Sequence, residues 1–378
     1  MLDSIEPSPR QDLDLTQISE LNYIGGAPDT SALIKKEFVD FRVDEELGFP
    51  LSHDGEHLYL RIRKTGLSTV EVARRLAEAS EASLSDIGYS GMKDKRGECT
   101  QWFSMPFSRT EEERLREIED GFIEILDAER NSRKLRIGSH KKNRFEILLR
   151  QCQGRKFVFE ERLNLIKASG VPNYFGSQRF GKDMSNLTQV MQLFRSEIEL
   201  SASDRINVKA RKKRSMLFSA ARGYLFNQVL SERIQQKNWN QFVPGDVLNL
   251  AGTNRYFLVE NGCWDDKLQR RLDSFDIHIS GPLAGVQDPR EKYISNDMAA
   301  RLEEAVLVKF QNLLCGLISF GLKTNRRPLR FVPENLKWNW LTPEELKLQF
   351  TLPRGAYATS LLRELCKISS FGNTGIEL

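Results

Sequence analysis

The sequence predicts a mixed α and β fold with a separate domain between residues 170 and 330, and three observations carry that reading. Alternation of period two marks strands. His57–Arg63 sets Leu58, Leu60 and Ile62 on one face, Asn143–Arg150 does the same with Phe145, Ile147 and Leu149, and Leu346–Leu352 alternates strictly. Helical spacing is the second signal. Ser68-Thr69 precede a run carrying Val72, Leu76 and Ala79, residues 155–168 form a helix that ends at Gly170, and Thr359 begins one with Leu361, Leu362 and Leu365 on one side. Third, the stretch from Gly170 to about Arg330 has its own helices, near 215–236 and 297–320, and its own strand signals at Tyr256–Glu260 and Asp276–Ser280. A chain of 378 residues is long enough for two domains with filled cores.

Between the first two long strand signals lies the most informative turn. Asp86–Ser90 reads as a short strand entering it and Thr100–Met105 as the strand leaving it, with Gly91-Met92-Lys93-Asp94-Lys95 between them. One carboxylate set between two ammonium groups is favoured in its ionised form, which suits Asp94 to act as a nucleophile or base. Taken alone, the same pattern describes a solvated charged turn. Its place on a loop held by strands is where catalytic groups commonly reside.

Composition excludes several classes. Hydrophobic residues make up 40% and charged residues 29%, and no apolar run approaches the ~20 residues that a membrane span requires. The first residues, MLDSIEPSPRQDLDLTQ, are acidic and lack an apolar core, so no secretory signal is expected. Five cysteines lie far apart with no Cys-x-x-Cys, which reads as reduced thiols. His53 and His57 have no converging ligand set, so no metal is expected. The chain has no internal repeat, P-loop or dinucleotide fingerprint.

Charge is uneven along the chain. The net charge is +4, but residues 1–60 contain 4 Lys and Arg against 13 Asp and Glu, so the basic excess lies downstream. Residues 170–330 alone carry 24 against 16. The runs His140-Lys141-Lys142-Asn143-Arg144 and Lys209-Ala210-Arg211-Lys212-Lys213-Arg214 are candidates for contact with a phosphate backbone through counterion release, a solvated face being the other reading. Arg179 sits among Tyr174, Phe175 and Phe180, where stacking and phosphate pairing could both occur, although Phe175 and Phe180 read first as packing residues.

Five segments together resemble one family, the TruD class of tRNA pseudouridine synthases. Gly91-Met92-Lys93-Asp94-Lys95 followed by Thr100-Gln101-Trp102 matches its catalytic signature, and Asn143-Arg144-Phe145 its Asn-x-Phe. Val171-Pro172-Asn173-Tyr174-Phe175-Gly176-Ser177-Gln178-Arg179-Phe180-Gly181 differs little from its hallmark. Ser219-Ala220 with Phe226-Asn227-Gln228, and Leu352-Pro353 with Gly355–Thr359 and Leu362-Arg363-Glu364, follow in family order. The amino-terminal motif departs: Phe38 and Val39 replace the usual Pro and acid, and register from Phe41 and Glu45 favours Lys35 over Lys36 as the family lysine.

The resemblance implies an α+β pseudouridine synthase core with a mixed, largely antiparallel sheet, in segments 1–169 and 331–378, interrupted by an inserted α/β TRUD domain at 170–330. It implies conversion of uridine to pseudouridine in tRNA, at position 13 of the D stem, without cofactor. Asp94 aligns with the catalytic aspartate, adding at C1′ or abstracting a ribose proton. Phe145 becomes the platform on which a flipped base stacks, a core strand residue being the other reading, and Asn143 orders the loop or the base. Lys35, Lys93 and Gln101 are assigned to the pocket, with Glu45 and His57 nearby. A cytoplasmic monomer acting on tRNA is expected, with no protein partner implied. A synthase with broader RNA targets, or a non-catalytic RNA-binding protein or chaperone on the same scaffold, are the alternatives.

Overall fold

The computed structural model describes residues 20–107, 112–196, 208–259, 262–288 and 294–370. They divide into two compact units: residues 28–170 with 332–370 form one, and residues 20–27 with 171–331 the other.

The first unit is built on a ten-stranded sheet. Its strands in the first segment are β1 (Ser31–Ile34), β2 (Phe41–Leu47), β3 (His57–Thr65), β4 (Gly88–Tyr89), β5 (Glu98–Pro106), β6 (Ile123–Asn131) and β7 (His140–Gln153). The strands Glu334–Thr342 and Glu345–Pro353 return to it from the second segment, in the order 334–342, 345–353, β7, β2, β5, β3, β6. All neighbours along that path are antiparallel except β2 and β5, so the mixed and largely antiparallel sheet is as expected. Helix α1 (Thr69–Ala79) lays Val72, Ala73 and Leu76, each almost fully buried, on Leu58, Leu60 and Ile62 of β3. Ser68 and Glu71 close its start in a reciprocal capping box. Helices α2 (Glu112–Arg116) and α3 (Lys156–Ser169) follow, α3 ending at Gly170 with φ 80°.

The second unit gathers its core around the long helix Val208–Gln235, from which Leu217, Tyr224, Leu225, Phe226 and Leu230 are buried. A four-stranded sheet includes Val247–Leu250, Tyr256–Leu258 and Ile277–Leu283. Phe175 and Phe180 are buried in this core, in the packing role read from sequence. Two ion pairs are sealed inside, Arg233 with Asp246 at 2.6 Å and Arg326 with Glu303 at 2.7 Å.

One sequence expectation is altered. The single helix expected near 297–320 is two, Asp297–Leu307 and Gln311–Ser319, because a tighter turn at Val308–Phe310 separates them and Phe310 leaves helical geometry at φ −120°, ψ 38°. Residues 20–27 pack with the second unit rather than with the segment that follows them. Leu21 and Ile24 cover its core, and Asn22 bonds Ser231 through both its backbone and side-chain amide.

Candidate active site

The loop from Gly91 to Gly97 joins β4 to β5, and its backbone is fixed at several points. Lys93 N donates to Thr69 Oγ1 at 2.9 Å, the Thr69 hydroxyl donates to Gln101 Oε1 at 2.9 Å, and Gln101 Nε2 donates to Gly91 O at 3.3 Å. Gln101 is fully buried, so its amide holds the loop from beneath. Further along, Lys64 Nζ donates to Asp94 O at 2.7 Å and to Leu67 O at 2.6 Å. Lys64 has no exposed surface, and burial lowers its pKa. The two carbonyls replace the water its ammonium would otherwise bind. Cys99 Sγ approaches the same Asp94 carbonyl at 3.6 Å, and burial pushes its thiol up to about 11, so the proton it donates stays in place at pH 7.

The other edge of the loop is tied to the segment after β1. Arg96 Nε donates to Lys35 O at 3.0 Å. At Gly97 a Cβ would come within 2.7 Å of Phe41 O, so the close approach to β2 requires glycine. Lys35 itself takes the left-handed conformation, φ 55°, and its ammonium lies 3.0 Å from Asp94 Oδ1 and 4.1 Å from the centre of the Phe41 ring. Lys36 is exposed; Lys35 is the lysine that meets the aspartate. The Asp94 side chain remains 41% exposed, which leaves the carboxylate open to a ligand.

The cations flanking Asp94 in sequence are not the ones that face it. Lys93 turns inward, where its ammonium lies 2.7 Å from Glu45 Oε2 and donates to Asn143 Oδ1 at 2.5 Å. The Glu45 and Lys93 side chains are 0% and 6% exposed. Lys95 turns the other way, to Glu71 Oε1 at 2.9 Å. Adjacent side chains of an irregular loop diverge, and each ammonium meets a carboxylate before it reaches Asp94. The electrostatic partner of Asp94 is thus supplied by Lys35, 59 residues upstream.

Sheet register explains why these groups meet. Glu45 on β2 is directly opposite Asn143 on β7, so both present polar groups to Lys93, and Val43 is opposite Phe145 two residues on. Phe145 is also opposite Phe350, with ring centres 5.3 Å apart and planes 21° apart, and meets Phe41 edge-on at 6.1 Å. It is 8% exposed, with these two rings among the residues that cover it. His140, read from sequence only as part of a basic run, is half-buried beside Gly91 and has its pKa lowered first by burial and then by Lys93.

The basic candidates are dispersed. Lys141 is exposed, whereas Lys142 is paired with Glu334 at 2.6 Å and its charge is locally balanced. In the second unit, Arg179 packs on Phe175, with its guanidinium 4.4 Å from the ring centre, and donates to Ser219 Oγ. Lys213 is exposed and Arg214 half-buried. The side chains of Lys209, Arg211 and Lys212 lie outside the described residues.

Sequence reasoning missed Lys64, Thr69 and Glu71. For Lys64 a signal was present: it continues the apolar face of Leu58, Leu60 and Ile62 by two residues, and a lysine on a buried strand face needs a partner.

The family model for tRNA pseudouridine synthase D (TruD) matches residues 17–199 and 200–365. The tRNA pseudouridine synthase D of Nitrosococcus oceani is 42% identical over 349 residues, 92% of this chain and 94% of that protein. That of Actinobacillus succinogenes is 42% identical over 351 residues, 92% of this chain and 99% of its own length. A crystal structure from Methanosarcina mazei, described as a TruD protein, shares the fold with a TM-score of 0.68 at 20% identity, covering 91% of this chain and 95% of that one. A match that runs through nearly the whole sequence and includes the Asp94 loop leads to one conclusion: the chain belongs to the tRNA pseudouridine synthase D family.

Proposed function

We propose that the protein isomerises uridine 13 in the D stem of tRNA to pseudouridine, with Asp94 as the group that attacks C1′ or removes a ribose proton. Family membership makes it an isomerase. The observation that carries the assignment to Asp94 is the half-exposed carboxylate 3.0 Å from the Lys35 ammonium, on a loop whose backbone is bonded from below. A nucleophile or base must reach its target without reorganising, and a fixed backbone with an open side chain meets both needs.

In this account the target nucleotide leaves its stack, and the N1–C1′ bond breaks as uracil departs. The base then turns and rejoins through C5, so no atom enters or leaves. Lys35 holds one carboxylate oxygen of Asp94; among the described residues the other accepts no hydrogen bond and is directed to the ribose. Lys93, neutralised by Glu45 and bonded to Asn143, fixes the loop rather than the substrate. The exposed edge of Phe145 meets the flipped base. No described helix is long and apolar enough to cross a membrane. A cytoplasmic location and a monomeric state are part of the same proposal.

The test is pseudouridine mapping on unmodified total tRNA incubated with the protein alone. Signal at D-stem position 13 is expected. Signal confined to other uridines would replace the target, and no signal on any tRNA would remove the proposed activity.

A further inference from the structure

The second unit contains a cavity of about 520 Å³ whose lining has an unusual charge balance. Arg179, Arg214 and Arg222 all contribute to it, together with Phe175, Phe218 and Ser219, and among the described residues its lining includes no Asp or Glu. Arg214, Phe218 and Arg222 are four residues apart on the helix Val208–Gln235, so they share one helix face. Guanidinium groups that share a cavity repel one another, and an anion between them relieves that repulsion.

Arg179 and Arg222 are held in place without being neutralised among the described residues. Arg222 Nη2 donates to Leu283 O at 2.8 Å and to Lys323 O at 2.9 Å, while its buried Nε has no partner among the described residues. Arg179 lies over Phe175 and donates to Ser219 Oγ. Neither Arg179 nor Arg222 forms an ion pair among the described residues, in contrast to Arg233 and Arg326 of the same unit. The packing beneath them is tight. A Cβ on Gly223 would lie 3.0 Å from Arg179 Cδ and 3.1 Å from Phe175 Cδ2, so the helix can approach both only at glycine. A guanidinium fork fixed by carbonyls and an aromatic face, with donors left over, is suited to bind a phosphate oxygen pair.

We propose that this cavity is a phosphodiester-binding site for the RNA substrate, with Arg179 and Arg222 as its charged donors. The proposal rests on the RNA-modifying reading above and adds to it a defined anchoring point. Phe175 and Phe218 supply an apolar wall beside the phosphate, and Ser219 fixes the Arg179 fork.

The experiment measures binding of an unmodified tRNA transcript by fluorescence polarisation across a series of KCl concentrations. Wild type is compared with Arg179→Gln, Arg222→Gln and Arg222→Lys, with thermal unfolding as the folding control. Each Gln variant is expected to weaken binding about tenfold near 0.1 M salt and to reduce the slope of log Kd against log salt by about 0.7 to 1, while Arg222→Lys keeps the slope. Inorganic phosphate at millimolar concentration is expected not to displace the transcript. Unchanged Kd and slope in folded Arg179→Gln would overturn the site even if Arg222→Gln does not fold, and so would displacement by free phosphate. Pseudouridine formation by wild type on the same transcript reports separately on the functional reading.

Discussion

Lys64 Nζ lies 2.7 Å from the main-chain carbonyl oxygen of Asp94, so the residue proposed to supply the reacting carboxylate is held through its backbone by a lysine with no exposed surface. The same ammonium bonds Leu67 O, just before α1. One buried charge therefore links the end of β3, the start of the helix and the Gly91–Gly97 loop.

Replacing Lys64 with Met keeps the apolar stem but removes the charged donor from Leu67 O and Asp94 O, leaving the Asp94 carbonyl only the weak Cys99 thiol, at a cost of about 1–3 kcal/mol for each bond. The loop then loses its fixed register. A fall of about a hundredfold in kcat is expected with KM for tRNA little changed, because a displacement near 1 Å is enough to misplace a reacting group. Steady-state kinetics together with a thermal melt decide the point: loss of stability with unchanged kcat would show that Lys64 supports the fold alone.

The Glu71 carboxylate caps α1 through the Ser68 backbone and side chain and pairs with Lys95, and these bonds hold its pKa at about 2, below the ordinary 4.5. Between those two values the unfolded chain binds more protons than the folded one, so this contribution is complete above pH 4.5 and is lost as pH falls towards 2. Glu71→Gln should lower the melting temperature most at neutral pH. The difference from wild type should close below pH 4.5, as measured by thermal melts over a pH series; a constant difference would contradict the assignment.

Phe145 carries two roles that a single substitution separates. Phe145→Leu removes the stacked pair with Phe350 and should cost about 1 kcal/mol of stability. If its edge also meets the flipped base, activity falls by more than this loss explains. Single-turnover rates measured well below the melting temperature are expected to drop at least tenfold. Rates equal to wild type would leave Phe145 as a core residue.

Much of the sheet was legible, because β3, β7 and the strand Glu345–Pro353 lie inside it and show one apolar face. Its edges were not. β6 and Glu334–Thr342 terminate the main path of the sheet and leave much of their length exposed, so neither needs strict alternation. At the site, Lys35, Lys93, Asp94, Asn143 and Phe145 were reached from motif order, which says nothing of direction. The ion pair of Lys93 with Glu45 depends on β2 and β7 being neighbours in a register that pairs Glu45 with Asn143. The meeting of Lys35 with Asp94 depends on a left-handed residue after β1. Local pattern contains neither fact.

The central claim is that the Asp94 carboxylate performs the reaction. Asp94→Asn keeps the size of the side chain and the backbone bonds to Lys64 and Thr69, so the loop should remain in place. The decisive measurement is pseudouridine formation by this variant under single-turnover conditions with saturating tRNA, alongside its Kd for the same tRNA. The expected result is no detectable product with Kd within about threefold of wild type, as removal of a transition-state group alone requires. Product formed at a rate near that of wild type would contradict the account and move the chemistry to another residue.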